Sequence, residues 1–483
     1  PAVRAPRQGE NVDLAPTAAW LLGVDQPASG PWQGRVLSEA FAKQPAASCL
    51  RPEASPSASA SASASASASA SPSASATASA SATAAATPTA TISPSATATA
   101  TVSPSASASP TAPPRQVSTY VAVDPVRLLD TRSGLGAPRA RVGPGGVLDL
   151  QVTGRHVPTG STAVVLTVTA VQPTAGSHLT VFPAGTGPAP PVSNLNVRRG
   201  ITVANLVVVA VGDQGRVRLR NDSGELDLVA DLAGYYTPGT AAASFVPVSP
   251  VRLLDTRDGT GGTRGRAGPG GTVEVELTRS GIPASATAVA LNVTAVGATR
   301  ATDVRAYPTP TDNSVPTVSN LNPPAGATLA ALVVSKIGDG GRVRLRNAAG
   351  SVHLVADIAG FWVPSGGVSF TPLTPTRLLD TRQDSGRLPA GGHLDLDLAG
   401  RPPVPAGARA VVLNVTAVAA AGSTHVQVYP SGDGDVPKIS NLNVVAGVTV
   451  PNLVIVKLSP DGRARLRTAT AGLDLVVDLA GYF

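Results

Sequence analysis

The sequence predicts an all-β protein: three tandem antiparallel β-sandwich modules of jelly-roll type, preceded by a short helical N-terminal stretch and a disordered linker. Three observations carry this prediction. RLLDTR occurs at Arg127 to Arg132, Arg252 to Arg257 and Arg377 to Arg382, and each occurrence opens the same longer pattern. That pattern runs through a Gly-rich turn, an apolar segment ending VTAV, SNLN, an RVRLR or RARLR segment and a closing LVADLAGYY, LVADIAGFW or LVVDLAGYF. The even spacing of Asp130, Asp255 and Asp380 is a domain length, too long for a solenoid repeat. Within each copy apolar residues alternate with period two, as strands require. Only 14% of residues are charged and 3% aromatic, against 49 Gly and 45 Pro, a balance that suits short strands and tight turns.

The 483 residues divide into 1–50, a linker over 51–116, and modules over 117–239, 240–365 and 366–483. The formal charge of +7 and a pI near 10 permit acidic partners and also fit plain solubility. Cys49 is the single cysteine, so the modules cannot be disulfide-stapled and are expected to stand on their own cores. A chain that opens at Pro1 and has no Met reads as a fragment or processed product. No apolar run reaches the roughly 18 residues that span a bilayer.

In residues 1–50, Asp13 precedes Pro16 at a first-turn position, and Ala19, Trp20, Leu21 and Leu22 run up to Gly23, which predicts a helix near 15–22. Asp13, Pro16, Thr17, Leu21, Leu22 and Gly23, with Gly34, Arg35, Val36 and Leu37, resemble the C-terminal end of the alkaline phosphatase superfamily, in its secreted phosphodiesterase and nucleotide pyrophosphatase branch. The resemblance implies a catalytic domain upstream that uses two divalent metal ions, zinc, and a Ser or Thr nucleophile. The first histidine is His156, so no such metal cluster can be assembled in this stretch, and Thr17 reads as a helix residue. No cofactor is expected in the present residues.

Residues 51–116 are almost wholly Ser, Ala, Thr and Pro, and beyond Ile92 and Val102 they lack large apolar side chains that could offset the entropy of ordering. This predicts a disordered linker, with the composition of an O-glycosylated stalk.

In the first module, Val164, Leu166, Val168 and Ala170 form one apolar face of a strand, with Val165, Thr167 and Thr169 on the other. VANLVVVAV, GDQG and RVRLR predict a hairpin. The closing LDLVADLAG places Leu226, Leu228, Ala230 and Leu232 on one face, opposite Asp227 and Asp231. About eight strands per copy result. Every aromatic residue after Phe41 falls into one of four slots filled once per copy: Tyr120, Phe245 and Phe370; Phe182, Tyr307 and Tyr429; Tyr235, Phe361 and Tyr482; Tyr236, Trp362 and Phe483. Fixed slots beside core strands predict core plugs and leave no spare ring for a sugar platform.

Asp130, Asp255 and Asp380, with their neighbouring arginines, are either ligand sites or ion pairs at a turn, and the ion pair is favoured. Asn194, Asn196, Asn320, Asn322, Asn441 and Asn443 of SNLN are expected to satisfy loop backbone rather than hold a glycan or calcium. The GDGD run at Gly432 to Asp435 occurs in one copy only and is set aside. The most suggestive surface feature is a row of three arginines per copy: Arg216, Arg218 and Arg220; Arg342, Arg344 and Arg346; Arg463, Arg465 and Arg467. Alternation points each trio to one face, where guanidinium groups can clamp phosphates or carboxylates. They can equally pair with an acid on the closing strand, Asp227 or Asp474, or protect a sheet edge. Base-stacking aromatics are not interleaved, which argues against nucleic acid.

Through RLLDTR, SNLN and the closing VADLAGYF, the whole module resembles a repeat common at the C-termini of secreted actinobacterial proteins. The resemblance implies extracellular or cell-wall placement behind a Ser/Thr/Pro-rich linker, and it assigns no binding residues. Together these readings predict a non-catalytic attachment or display region of a secreted phosphoesterase-like protein, with monomeric modules and an anionic cell-wall polymer or polysaccharide as partner. The alternative is that the modules are passive spacers of a secreted phosphodiesterase or phosphatase whose active site lies upstream.

Overall fold

The computed structural model describes residues 117–483 apart from Thr186 and Asp433, all within one compact unit. The helix expected near 15–22 and the linker lie outside the described residues. The described chain is all-β: six antiparallel sheets, two per module. Helical turns among the described residues are limited to three-residue 3-10 segments at Asp213–Gly215, Thr278–Ser280 and Asp339–Gly341.

Module 1 holds β1 (Ser118–Asp130), β2 (Val147–Gln151), β3 (Ala163–Val171), β4 (Ser177–Pro183), β5 (Leu195–Val197), β6 (Val203–Ala210), β7 (Arg216–Asn221) and β8 (Asp227–Pro238). Module 2 holds β9 (Ser244–Asp255), β10 (Thr272–Glu276), β11 (Ala288–Val296), β12 (Val304–Pro308), β13 (Leu329–Lys336), β14 (Arg342–Asn347) and β15 (His353–Val363). Module 3 holds β16 (Thr371–Asp380), β17 (His393–Asp397), β18 (Ala410–Val418), β19 (Thr424–Pro430), β20 (Leu442–Val444), β21 (Val450–Lys457), β22 (Arg463–Thr468) and β23 (Asp474–Tyr482).

In module 1 the inner sheet has the order β1-β8-β3-β6 and the outer sheet β2-β7-β4-β5, and module 3 repeats both orders. Module 2 keeps the inner order but has only three outer strands, β10-β14-β12. Its SNLN is followed by Pro323 and Pro324 where module 1 has Val197 and Arg198. A proline has no N–H to give a ladder, and Leu321 is left with an isolated bridge to Val304.

The GDQG turn does not close a hairpin. β6 pairs with β3 in the inner sheet, whereas β7 pairs with β2 and β4 in the outer one. The turn docks on the end of β4, where Asp213 N donates to the Ala184 carbonyl at 2.9 Å. Both strands are buried in layers already completed by partners distant in sequence, which a local turn signal does not reveal.

Each module has its own core between its two sheets. In module 1 it takes Leu166 and Val168 from β3, Leu226, Leu228, Ala230 and Leu232 from the closing segment, and Leu150, Val181 and Leu219 from the outer sheet. A fourth core is shared by all three modules. Val165, Val208 and Tyr236 meet Ala290, Val334 and Trp362 and then Val412, Ile455 and Phe483. The modules therefore do not stand on separate cores alone: each inner sheet is buried on both faces, and the second face is covered by the neighbouring modules.

At the centre of the shared core six rings close a circuit. Tyr120, Tyr236, Phe370, Phe483, Phe245 and Trp362 contact one another in that order and return to Tyr120, with centroid separations of 4.3–5.1 Å. Alternate contacts in the circuit lie within one module and between two. Aromatic pairs of this kind contribute about 0.5–1.5 kcal/mol each beyond area burial. The leading segments are joined as well, through Ser118 to Phe370, Tyr120 to Ala243 and Phe245 to Val368, each by a reciprocal pair of backbone hydrogen bonds.

The closing LAG triplet creates this arrangement. β8 carries a bulge at Ala233, because Leu166 lies opposite Leu232 while Val165 lies opposite Gly234. Module 2 is bulged at Ala359 and module 3 at Ala480. An extra residue reverses the facing of all that follow, so Tyr235 turns toward the module core and Tyr236 toward the shared core. Gly234 then lies under the Tyr120 ring, where a Cβ would stand 2.2 Å from its hydroxyl oxygen. In module 2, a Cβ on Gly360 would stand 2.2 Å from Cζ of Phe245.

Candidate functional site

The three sequence motifs meet at the seams between modules. Arg127, leading RLLDTR, lies beside Asp231 of the closing strand because β1 and β8 are neighbours in register. Arg127 Nε donates to Asp231 at 2.8 Å and Nη1 to Asp130 at 3.3 Å. Asp130 in turn receives Arg132 through Nε at 2.9 Å and Nη2 at 2.8 Å. Thr131 Oγ1 donates to Asp227 and accepts from Leu228 N, so the polar side chains of the motif are all engaged. Modules 2 and 3 repeat the lattice with Arg252, Asp255, Arg257 and Asp357, and with Arg377, Asp380, Arg382 and Asp478.

The lattice contains two kinds of carboxylate. Paired guanidinium groups hold Asp130 and Asp380 below the usual carboxylate range, and Asp255 falls to about 2, chiefly through its hydrogen bond with Arg257. Burial pushes Asp231, Asp357 and Asp478 up, against the opposing pull of Arg127, Arg252 and Arg377.

Each buried aspartate also meets the SNLN segment of another module. The backbone N–H of Ser319 serves Asp231, that of Ser440 serves Asp357, and that of Ser193 serves Asp478. Module 1 thus contacts module 2, module 2 contacts module 3, and module 3 returns to module 1. Arg127 Nη2 reaches the Thr317 carbonyl at 2.6 Å and Arg377 Nη2 the Pro191 carbonyl at 2.9 Å along the same seams.

Within SNLN, Asn194, Asn320 and Asn441 each accept a backbone N–H of their own module, from Val181, Ala306 and Val428, all at 2.7 Å. The role is to satisfy backbone, as the sequence favoured, but the groups served belong to strands β4, β12 and β19 and not to a loop. Asn196 accepts from Ser193 Oγ, and Asn322 donates to Ser319 Oγ.

A second set of asparagines escaped the sequence reading. Asn205 donates to Asn414 and Asn452 donates to Asn292, each at 3.1 Å across a seam. Asn205 Oδ1 accepts Leu453 N, and Asn452 Oδ1 accepts Leu332 N. The available signal was a coupled exchange. Thr167 stands where the other copies have Asn292 and Asn414, and Ala331, its partner position in module 2, stands where they have Asn205 and Asn452.

The arginine rows lie elsewhere, on the outward face of the outer sheets. Burial alternates along β7, with Val217 and Leu219 buried and Arg216, Arg218 and Arg220 half-exposed. The middle arginine of each row is opposed in register by an acid on the adjoining strand: Asp149 for Arg218, Glu274 for Arg344 and Asp395 for Arg465. The contacts are 2.8, 2.5 and 2.6 Å. The acid therefore comes from β2, β10 or β17, not from the closing strand. Asp227 and Asp474 are occupied by Thr131 and Thr381.

The flanking arginines differ between copies. Arg216 contacts Gln214, Arg220 pairs with Asp222 at 3.1 Å, Arg463 pairs with Asp397 at 2.7 Å, and Arg467 donates to Gln427. Arg342 and Arg346 have no ion pair among the described residues. The structure brings each row together on one strand and does not unite the three rows. In the one-copy GDGD run, the Gly432 carbonyl accepts Arg465 Nη1 at 3.2 Å.

Among the described residues, no group of three or more His, Cys, Asp or Glu is placed to hold a metal ion, and no helix is long and apolar enough to cross a membrane. No protein-family model and no curated protein matches the chain. Two solved structures are similar at low level. One is a chain of the Sulfolobus turreted icosahedral virus, 8% identical, covering 71% of this chain and 84% of that one at a TM-score of 0.15. The other, described under the triple jelly-roll fold and turret assembly of an archaeal virus, is also 8% identical and covers 76% and 89% at 0.15. A likeness that low decides neither fold nor function.

Proposed function

We propose that residues 117–483 form a non-catalytic attachment and display unit of a secreted, extracellular or cell-wall-associated protein, built of three jelly-roll sandwiches. The strand orders β1-β8-β3-β6 and β2-β7-β4-β5 support the jelly-roll reading, since strands distant in sequence alternate between two facing sheets. The observation that carries the functional reading is the recurrence of an outward three-arginine strand in every copy, while the charged residues of RLLDTR and of the closing strand are engaged in and between modules. Three weak sites held in fixed relation gain avidity on a polymer that presents repeated phosphates or carboxylates. Arg342 and Arg346, without ion pairs, are the strongest anchors in this reading.

The second reading, a passive spacer carried by a phosphoesterase, is favoured by the internal pairing of Arg218, Arg344 and Arg465. Retention of the protein on purified cell walls at low ionic strength separates the two. Attachment predicts retention that falls when Arg342 and Arg346 are replaced by Gln, and absence of retention at low salt overturns it.

A further inference from the structure

Each seam has an equivalent place where a residue of the leading strand of one module faces the end of the inner edge strand of the next. Between modules 1 and 2, Asp124 of β1 pairs there with Lys336 of β13 at 3.0 Å. The pair borders a cleft of about 490 Å³. Between modules 2 and 3, Ser249 holds the place of Asp124 and Lys457 of β21 holds that of Lys336, in a cleft of about 550 Å³. Between modules 3 and 1 the positions carry Thr374 and Ala210, neither of them charged.

A third position completes the comparison. The residue after the edge strand donates its N–H to Thr162 in module 1, Thr287 in module 2 and Arg409 in module 3, at 2.9, 3.0 and 2.9 Å. Arg409 therefore stands where the other copies have threonine, and it lines the same cleft as Lys457. This seam has gained a cation and lost the carboxylate. Neither Lys457 nor Arg409 has an ion-pair partner among the described residues. The nearest acid in sequence, Asp461, is engaged by Arg463 at 3.2 Å and by Ser459. Ser249 is exposed, Lys457 half-buried and Arg409 exposed, so the cleft is open to solvent.

We propose that the cleft between modules 2 and 3 binds an oxyanion, a phosphate, sulfate or carboxylate group of a small ligand, through Lys457 and Arg409. The hydroxyls of Ser249 and Ser431, which line the same cleft, supply further donors. The sister seam supports the chemistry from within the molecule, because there a carboxylate of the chain itself occupies the position beside the equivalent lysine. An ammonium and a guanidinium on one oxyanion form charge-assisted hydrogen bonds, about twice as strong as neutral ones. The site is distinct from the outward arginine rows and does not depend on them.

Calorimetric titration of the full chain with inorganic phosphate, and separately with sulfate and acetate, at low ionic strength tests this. Saturable binding to one site is expected. Lys457→Ala with Arg409→Thr should weaken it at least tenfold, and so should Ser249→Asp, which supplies an internal carboxylate as Asp124 does. Lys336→Ala, at the sister seam, should leave it unchanged. Absence of saturable binding overturns the proposal, as does binding that survives both Ser249→Asp and the double substitution in folded protein. Loss of phosphate binding on Arg342→Gln would move the site to the arginine row and equally overturn it.

Discussion

Asn205 Nδ2 donates to Asn414 Oδ1 at 3.1 Å, joining module 1 to module 3 between residues 209 positions apart. The same Asn205 serves the Asn194 carbonyl at 2.7 Å and Leu453 N at 3.2 Å. Asn205→Ala strips partners from buried polar groups in two modules, so a loss of about 2–3 kcal/mol is expected in urea unfolding. Adding Asn414→Thr recreates the Thr167 and Ala331 combination of the seam between modules 1 and 2. The double variant should therefore lose less than the two single variants summed, a coupling that a double-mutant cycle reads directly.

Acid should act on the motif lattice in a definite direction. Asp255 is held at about 2 against an ordinary value of 3.8. A lowered carboxylate contributes stability that is complete above the unfolded value and is lost as pH falls through the folded one. That shift corresponds to about 2 kcal/mol, fully present above pH ~5. Asp255→Asn should cost about that much at pH 7, with the difference from the parent narrowing toward pH 2. Asp357, raised by burial, has the opposite sign: its contribution is full at low pH and declines as pH rises. Asp357→Asn should therefore be tolerated better at pH 7 than Asp255→Asn, as guanidinium unfolding at both pH values would show.

Gly360 is fixed by contact and not by backbone angle. A Cβ there would stand 2.2 Å from Phe245 Cζ and 2.7 Å from the Val246 carbonyl oxygen. Gly360→Ala must displace a ring of the six-membered circuit, at about 1–3 kcal/mol. Thermal unfolding should show the loss, and Phe245→Leu in the same chain should recover part of it.

On the outer sheet, Glu274 faces Arg344 at 2.5 Å with both side chains partly exposed. Glu274→Ala should change stability by under about 1 kcal/mol. If the rows bind an anionic polymer, releasing Arg344 should strengthen retention on cell walls, whereas a passive spacer would be unaffected.

Much of the single module was legible. Leu226, Leu228, Ala230 and Leu232 do share one face, because alternation survives along an unbroken strand. The arginine rows do point outward for the same reason. The seams were less visible. Thr167 and Asp231 stand opposite the apolar face of their strands, yet both are buried, because the face they occupy is covered by another module. The bulge at Ala233 reverses the facing of Tyr236 with no change in hydropathy, so a core plug could be predicted but not the core it fills. The sequence offers Asp227 of the closing strand as one partner for Arg218, and the partner is Asp149, since only strand order decides which acid is opposite. The seam cleft at Lys457 differs from its sisters only in the charges carried at equivalent positions, Ser249 for Asp124 and Arg409 for Thr287, which one copy alone does not reveal.

The shared core makes one demand above the others: the modules should unfold together. Calorimetric unfolding of the chain measures this most directly, through the ratio of calorimetric to van't Hoff enthalpy for the β region. One transition with a ratio near unity is predicted, and Trp362→Ala should lower it as a whole. Three separable transitions, with Trp362→Ala moving only the one that belongs to module 2, would contradict the account.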